Sequence, residues 1–227
     1  MKVFDYEGDA QRAMEVVLGG GIAVIPTTVG YVILAATTRA INRIIEVKRR
    51  APAKLNAMIG CASMHAAVHL LDGRNRAAVR TITQGYDLPL GTVAPANLDH
   101  PMLRGVDSAV LERTTYKGTV AMLLNAGPLM TAMAELSFEA NAPVIGSSAN
   151  LSLQGTKFRV EDIEPEILGA ADLVVDYGLM RWANYAKSST MINVNDFTVV
   201  RQGSCYDLIA DALRRHYDIE LRPAVFE

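Results

Sequence analysis

Residues 143–156 read PVIGSSANLSLQGT. An apolar pair, Val144 and Ile145, runs through Gly146 into Ser147, Ser148, Ala149, Asn150 and Ser152, with no charged residue in the stretch. A buried strand that ends in short polar side chains has two physical accounts. In one, Ser147 or Ser148 caps a helix by accepting from an unpaired backbone N–H. In the other, the strand end presents hydroxyls and an amide to an anion or a nucleotide. The surrounding pattern has to choose between them.

Upstream, Glu7 to Leu18 carries apolar residues at 10, 13, 14, 17 and 18, a helical spacing that the glycines at 19–21 terminate. Ile22 to Ile25 reads as a buried strand, broken by PTTVG and resumed from Tyr31 to Leu34. A second helix starts at Thr38, with Thr37 or Thr38 as its N-cap, and runs to Lys48-Arg49-Arg50 before Ala51-Pro52 stops it. A strand over 57–61 and helices near 63–71 and 74–84 follow. The stretch 85–118, rich in Gly, Pro and Asn, reads as loops and short strands. Downstream come strands at 119–124, 143–147, 173–176, 190–194 and 197–201, and helices at 128–140, 162–169 and 206–217. Strands interspersed with helices predict an α/β or α+β sheet with helical cover. One domain over 1–218 is expected, with a tail at 219–227.

Composition narrows the function classes. Of the 227 residues, 50% are hydrophobic and 20% charged, as in an ordinary soluble globular protein. A net charge of −2 gives no overall basic excess for nucleic acid, although a local basic face remains open. No apolar run approaches the ~20 residues of a membrane span. The start does not resemble a signal peptide, and Cys61 and Cys205 form no metal-type pair, so a cytoplasmic chain with reduced thiols is expected. No GxxxxGK[ST], GxGxxG or GxSxG occurs. His65 and His69 lie four apart, but without a third ligand in view they read as part of an ordinary surface helix, and no metal site is expected.

What the sequence does place at strand and helix ends is a set of donors: Thr27 and Thr28, Lys48 and Arg50, Ser147, Ser148 and Asn150, Ser188, Ser189 and Thr190, and Arg201 before Gly203. Each has a plain structural account. Lys48 and Arg50 can complement a helix C-terminus, and Arg201 can be half of a surface ion pair. Together they offer many donors to an anion and almost no competing carboxylate, which suits nucleotide phosphates.

The order of these motifs resembles the threonylcarbamoyl-AMP synthases, the YrdC-like family. The carrying residues are PTTVGY (26–31), AINRIIEVKRR (40–50), SANLS (148–152), ADLVVDYG (171–178), STMIN (189–193) and RQG (201–203). The resemblance implies a YrdC-like twisted open sheet with helices packed around it and a deep, positively lined cavity. It implies that threonine, bicarbonate and ATP give threonylcarbamoyl-AMP and pyrophosphate, a product used in tRNA modification. Lys48, Arg50, Ser148, Asn150, Ser189 and Arg201 would then hold ATP, with Lys48 and Arg50 catalytic. Thr27, Tyr31 and Ser147 would line the amino-acid side. Magnesium would ride on the nucleotide, RNA is a further partner to consider, and the chain would be a monomer or a homodimer. The departures are Thr28 for the family's acid, glycine before rather than after Tyr31, Leu123 where the family has an arginine, Leu153 for a glycine, and only a faint LPLGT (88–92) for its W-P-G-P-x-T stretch. They leave open a paralogue with a different amine or carbamoyl partner, or a non-catalytic nucleotide- or RNA-binding module.

Overall fold

A computed structural model of the chain describes residues 4–49, 56–112 and 114–223. The strands are β1 (Ala23–Thr27), β2 (Gly30–Ala35), β3 (Ala57–Gly60), β4 (Leu90–Pro95), β5 (Thr115–Tyr116), β6 (Thr119–Leu124), β7 (Ile145–Ser148), β8 (Leu173–Val174), β9 (Met191–Asn193), β10 (Thr198–Arg201) and β11 (Arg222–Pro223). They form one mixed sheet in the order β11-β10-β9-β4-β6-β3-β7-β2-β1-β8, with β5 pairing to β6. The pairs β3–β6 and β4–β9 are parallel, whereas β1–β2, β2–β7, β3–β7 and β4–β6 are antiparallel. The helices are α1 (Tyr6–Leu18), α2 (Thr38–Val47), α3 (Ala62–Val68), α4 (Gly73–Arg80), α5 (Pro101–Arg104), α6 (Ser108–Leu111), α7 (Pro128–Glu139), α8 (Pro165–Ala170) and α9 (Tyr206–Tyr217). This is the twisted open α/β sheet with helical cover that the sequence predicts. No helix among the described residues is long and apolar enough to cross a membrane.

The elements follow from local chemistry. In α1, Asp5 accepts from Gly8 N at 2.9 Å, and Ala10, Ala13, Met14 and Val17 form the buried stripe at helical spacing. In α2, Thr37 is the cap, accepting from Ala40 N at 3.4 Å, and Ala40, Ile41 and Ile44 are buried. Every residue of β1 is buried, so it is a near-continuous apolar run and not an alternating strand.

Several expectations need correcting. Helix α2 ends at Val47, short of Arg50; Lys48 is its C-cap and Arg49 takes a φ of +50°. The stretch 85–118, read as loops and short strands, contains β5 and also β4, a full six-residue strand paired along its length with β6. Gly91 is compatible with this central strand for a specific reason. A Cβ on Gly91 would lie 3.1 Å from Met191 Cβ and 3.1 Å from Thr190 O, so glycine lets β9 approach closely. The helix carrying His65 and His69 is not a surface element at those positions. Both side chains are buried, and α3 stops at Val68 because His69 turns extended to bridge Ala96.

Candidate functional site

The stretch SSANLS resolves in favour of a strand end. Ser147 and Ser148 are still in β7, paired with Ile33 and Val32 of β2, and the chain then makes turns without starting a helix. The helix-cap role is therefore ruled out for both serines; the next α-helix is α8, at Pro165.

A cavity of about 460 Å³ opens beside this strand end. Tyr31, Lys48, Ser147, Ser148, Asn150, Ser189 and Arg201 all line it, so residues spread over 170 positions of sequence converge on one cavity. Arg50 lies outside the described residues. Thr27 does not line the cavity: its hydroxyl donates to Gly30 O at 2.6 Å and accepts from Val29 N at 3.3 Å, closing the β1–β2 turn.

Lys48 is the anchor of the arrangement. It is only 1% exposed, and its Nζ donates to the carbonyls of Ser148 and Asn150. Ser152 N returns a bond to Lys48 O at 3.1 Å. The lysine thus shapes the SANLS turn and does not merely complement its own helix end. The turn is pinned from its other side by Glu164, which accepts from Leu151 N at 3.2 Å and pairs with Lys157 at 2.8 Å. Within it, Asn150 Oδ1 and Ser152 Oγ are buried with no partner among the described residues. Buried acceptors of this kind cost ~1–3 kcal/mol each unless something donates to them.

On the opposite wall, Arg201 Nε and a terminal nitrogen donate to Ser189 O at 3.1 and 3.0 Å, and the same terminal nitrogen reaches Ser189 Oγ at 3.2 Å. Desolvation by surrounding protein lowers Arg201 from the usual guanidinium range, but an arginine keeps its charge at any physiological pH. The glycine of RQG has a steric reason. A Cβ on Gly203 would sit 2.2 Å from Ser188 O and 2.4 Å from Ser189 C, so only glycine lets these two backbones touch. Gly203→Ala is expected to cost ~1–3 kcal/mol and to displace Arg201 from Ser189. A thermal melt checks it, and an unchanged melting temperature would show that the backbones part freely.

Tyr31 is buried, and its hydroxyl donates to Asp176 Oδ1 (2.8 Å), with Gly178 O at 3.0 Å as the other acceptor, and accepts from Tyr177 N at 3.1 Å. Burial, then the hydrogen bond to Asp176, raises it well above the ordinary phenol range, so it stays neutral. Its ring is a wall and its hydroxyl ties β2 to the segment after β8.

Beyond Ser152, Thr156 and Ser188, much of the remaining lining is apolar, including Val32, Met58, Ile59, Leu123, Met191 and Val200. Sequence reasoning singled out only Leu123 among them. The others come from four short strands, β2, β3, β9 and β10, which only the sheet order brings together. No Asp or Glu is among the described lining residues. Leu153, at the cavity mouth, is 87% exposed and takes a φ of +72°. A leucine there bears the left-handed cost of ~1–2 kcal/mol that glycine avoids.

A family model described as "Telomere recombination", the Sua5/YciO/YrdC domain, matches residues 15–203. No curated protein matches the chain by sequence. Among solved structures, a hypothetical protein of Streptococcus mutans UA159 superposes with a TM-score of 0.78 at 22% identity, covering 95% of each chain. P. abyssi Sua5 complexed with L-threonine gives a TM-score of 0.75 at 17% identity. That superposition covers 98% of this chain but only 61% of the longer Sua5 chain. E. coli YciO gives 0.63 at 20% identity, covering 89% of this chain and 92% of its own. These identities speak for the fold, and the match over residues 15–203 speaks for descent: the chain belongs to the Sua5/YciO/YrdC family.

Proposed function

We propose that the chain is an ATP-dependent nucleotidyltransferase that makes threonylcarbamoyl-AMP. A carbamate, formed from threonine and bicarbonate with loss of water, attacks the α-phosphorus of ATP through its oxygen. The bond from that phosphorus to the bridging oxygen breaks and pyrophosphate leaves. The observation that carries the reading is the convergence of Lys48, Ser148, Asn150, Ser189 and Arg201 on one cavity without a carboxylate among its described lining residues. Such a donor set fits phosphates, and the buried Asn150 Oδ1 and Ser152 Oγ, without partners among the described residues, fit donors on a bound nucleoside. It supplies no carboxylate for magnesium, which phosphates and water would hold. A carbamate is already an anionic nucleophile, so positioning and charge neutralisation suffice without a general base. Support also comes from relatives: a Sua5 structure contains L-threonine, and a HypF structure of this fold is phosphate- and nucleotide-bound.

One observation favours a second reading, in which the same adenylate chemistry serves another amine. Leu123 stands in the wall with Met58, Met191 and Val200, an apolar surface where a charge-binding arginine is expected from the family pattern. One hydrogen bond to a charged group is worth ~1.5–3 kcal/mol, or about 10–150-fold in affinity. The experiment is pyrophosphate release from ATP, magnesium and bicarbonate with and without threonine, with mass spectrometry of the adenylate. Threonine-dependent release with the threonylcarbamoyl-AMP mass is the expected result. Retained ATP binding without threonine dependence would replace the first reading by the second, and no ATP binding would remove both.

A further inference from the structure

A second cavity, of about 530 Å³, shares no lining residue with the first. It lies where β3 and β6, adjacent and parallel, release the chain from their carboxyl ends into α3 and α7. Crevices outside the carboxyl ends of strands are where open α/β sheets bind ligands. Gly60 and Leu124 line it from the strands, Glu135 from α7, and Arg76 and Arg80 from α4. The wall continues into a π-helical turn, Thr81–Gly85, through Thr83 and Gln84. Such turns are uncommon and frequently stand at functional sites.

The polar groups are arranged in two sets. Arg76 and Arg80, four apart on α4, share a face. Arg76 is held by the carbonyls of Ala66 (2.7 Å) and Leu71 (3.2 Å). Arg80 is exposed and makes no hydrogen bond or ion pair with a described residue. The other set is a histidine relay whose tautomers can be worked out. His69 Nε2 is 3.2 Å from Val120 O, and a carbonyl only accepts, so the proton of His69 is on Nε2. Burial draws His69 down to about 3 and His65 down to about 4, so both rings are neutral. His69 Nδ1 is therefore a bare acceptor, and His65 Nδ1–H donates to it at 2.8 Å. That leaves His65 Nε2 with a lone pair, buried and with no donor among the described residues. His65 belongs to the cavity wall.

We propose that this cavity is a second ligand site, for a small organic anion that also carries an O–H or N–H donor. The anionic group is held by Arg80 and Arg76, and the donor satisfies His65 Nε2. The proposal stands apart from the nucleotide reading of the first cavity.

The chain has four histidines, so nitrogen-15 imidazole spectra of the full chain are simple enough to assign. The probes are glycerol phosphate and glycerate, which separate a phosphate from a carboxylate, and propyl phosphate, which lacks the hydroxyl. At least one hydroxylated probe should move the His65 Nε2 signal and leave His100 and His216 unmoved. Arg80→Ala, at an exposed position, should weaken that probe by about tenfold or more. Ala66→Phe, which places a ring into the cavity from another exposed position, should abolish binding. The proposal is overturned if neither hydroxylated probe moves His65 at about 10 mM. It is equally overturned if propyl phosphate moves His65 as strongly, or if binding survives both variants unchanged.

Discussion

Lys48→Met is expected to lower stability by about 3 kcal/mol, a fall in melting temperature on the order of 6–12 °C for a chain of this size. Methionine keeps the stem and its packing but removes the donor. The Asn150 carbonyl would lose its Nζ donor, and the Ser148 carbonyl would keep only the bond it accepts from Asn150 N at 2.9 Å. The loss of two hydrogen bonds from a charged donor, ~1.5–3 kcal/mol apiece, outweighs any relief from removing a buried charge. The same change should reduce ATP affinity by at least about tenfold, because the SANLS turn that lines the cavity loses its anchor along with the positive charge. Thermal melts and titration with a fluorescent ATP analogue read the two effects separately. A melt shifted by less than about 2 °C with unchanged ATP affinity would remove Lys48 from both roles.

Acid should begin to destabilise the chain through its histidines before its carboxylates titrate. His65 and His69 have folded-state pKa values of about 4 and about 3, below the usual 6.5, chiefly because burial disfavours the imidazolium. For His65 the neighbouring Arg76 charge adds to this. Below pH 6.5 the unfolded chain therefore binds protons that the folded chain refuses, so stability falls as pH falls. The slope approaches about 1.4 kcal/mol per pH unit for each histidine, and the loss continues until the folded-state values are reached. Urea midpoints between pH 7 and pH 4.5 test it. His65→Phe should flatten the curve by about half, and a curve that is flat in the parent chain would show that the pair is not neutral and buried together.

The parts of this structure legible in sequence share a physical property: their signals are local. The stripe of α1, the Thr37 cap and the apolar runs of β1 and β6 can be read from a dozen residues. So could the polar half of the candidate site, since its donors cluster at strand ends and their order matched a family pattern. What could not be read depends on contacts between distant segments. Gly91 looks like a loop residue until β9 is seen to lie against it. His65 and His69 look like a surface pair until the Val120 carbonyl is found next to them. Thr27 belongs to the right motif, but its hydroxyl closes a turn. The apolar wall of Met58, Leu123 and Met191 is assembled from three strands that meet only in the sheet.

The two cavities divide the same pair of strands between them. Ile59 and Leu123 line one, and their immediate successors Gly60 and Leu124 line the other. A shift of one residue along β3 or β6 would carry each wall residue into its neighbour's place, so both chambers depend on the same register. Single-residue insertions and deletions within Ala57–Gly60 or Thr119–Leu124 would thus scramble both chambers at once, whereas the exposed connection at 97–99 has no such register to keep.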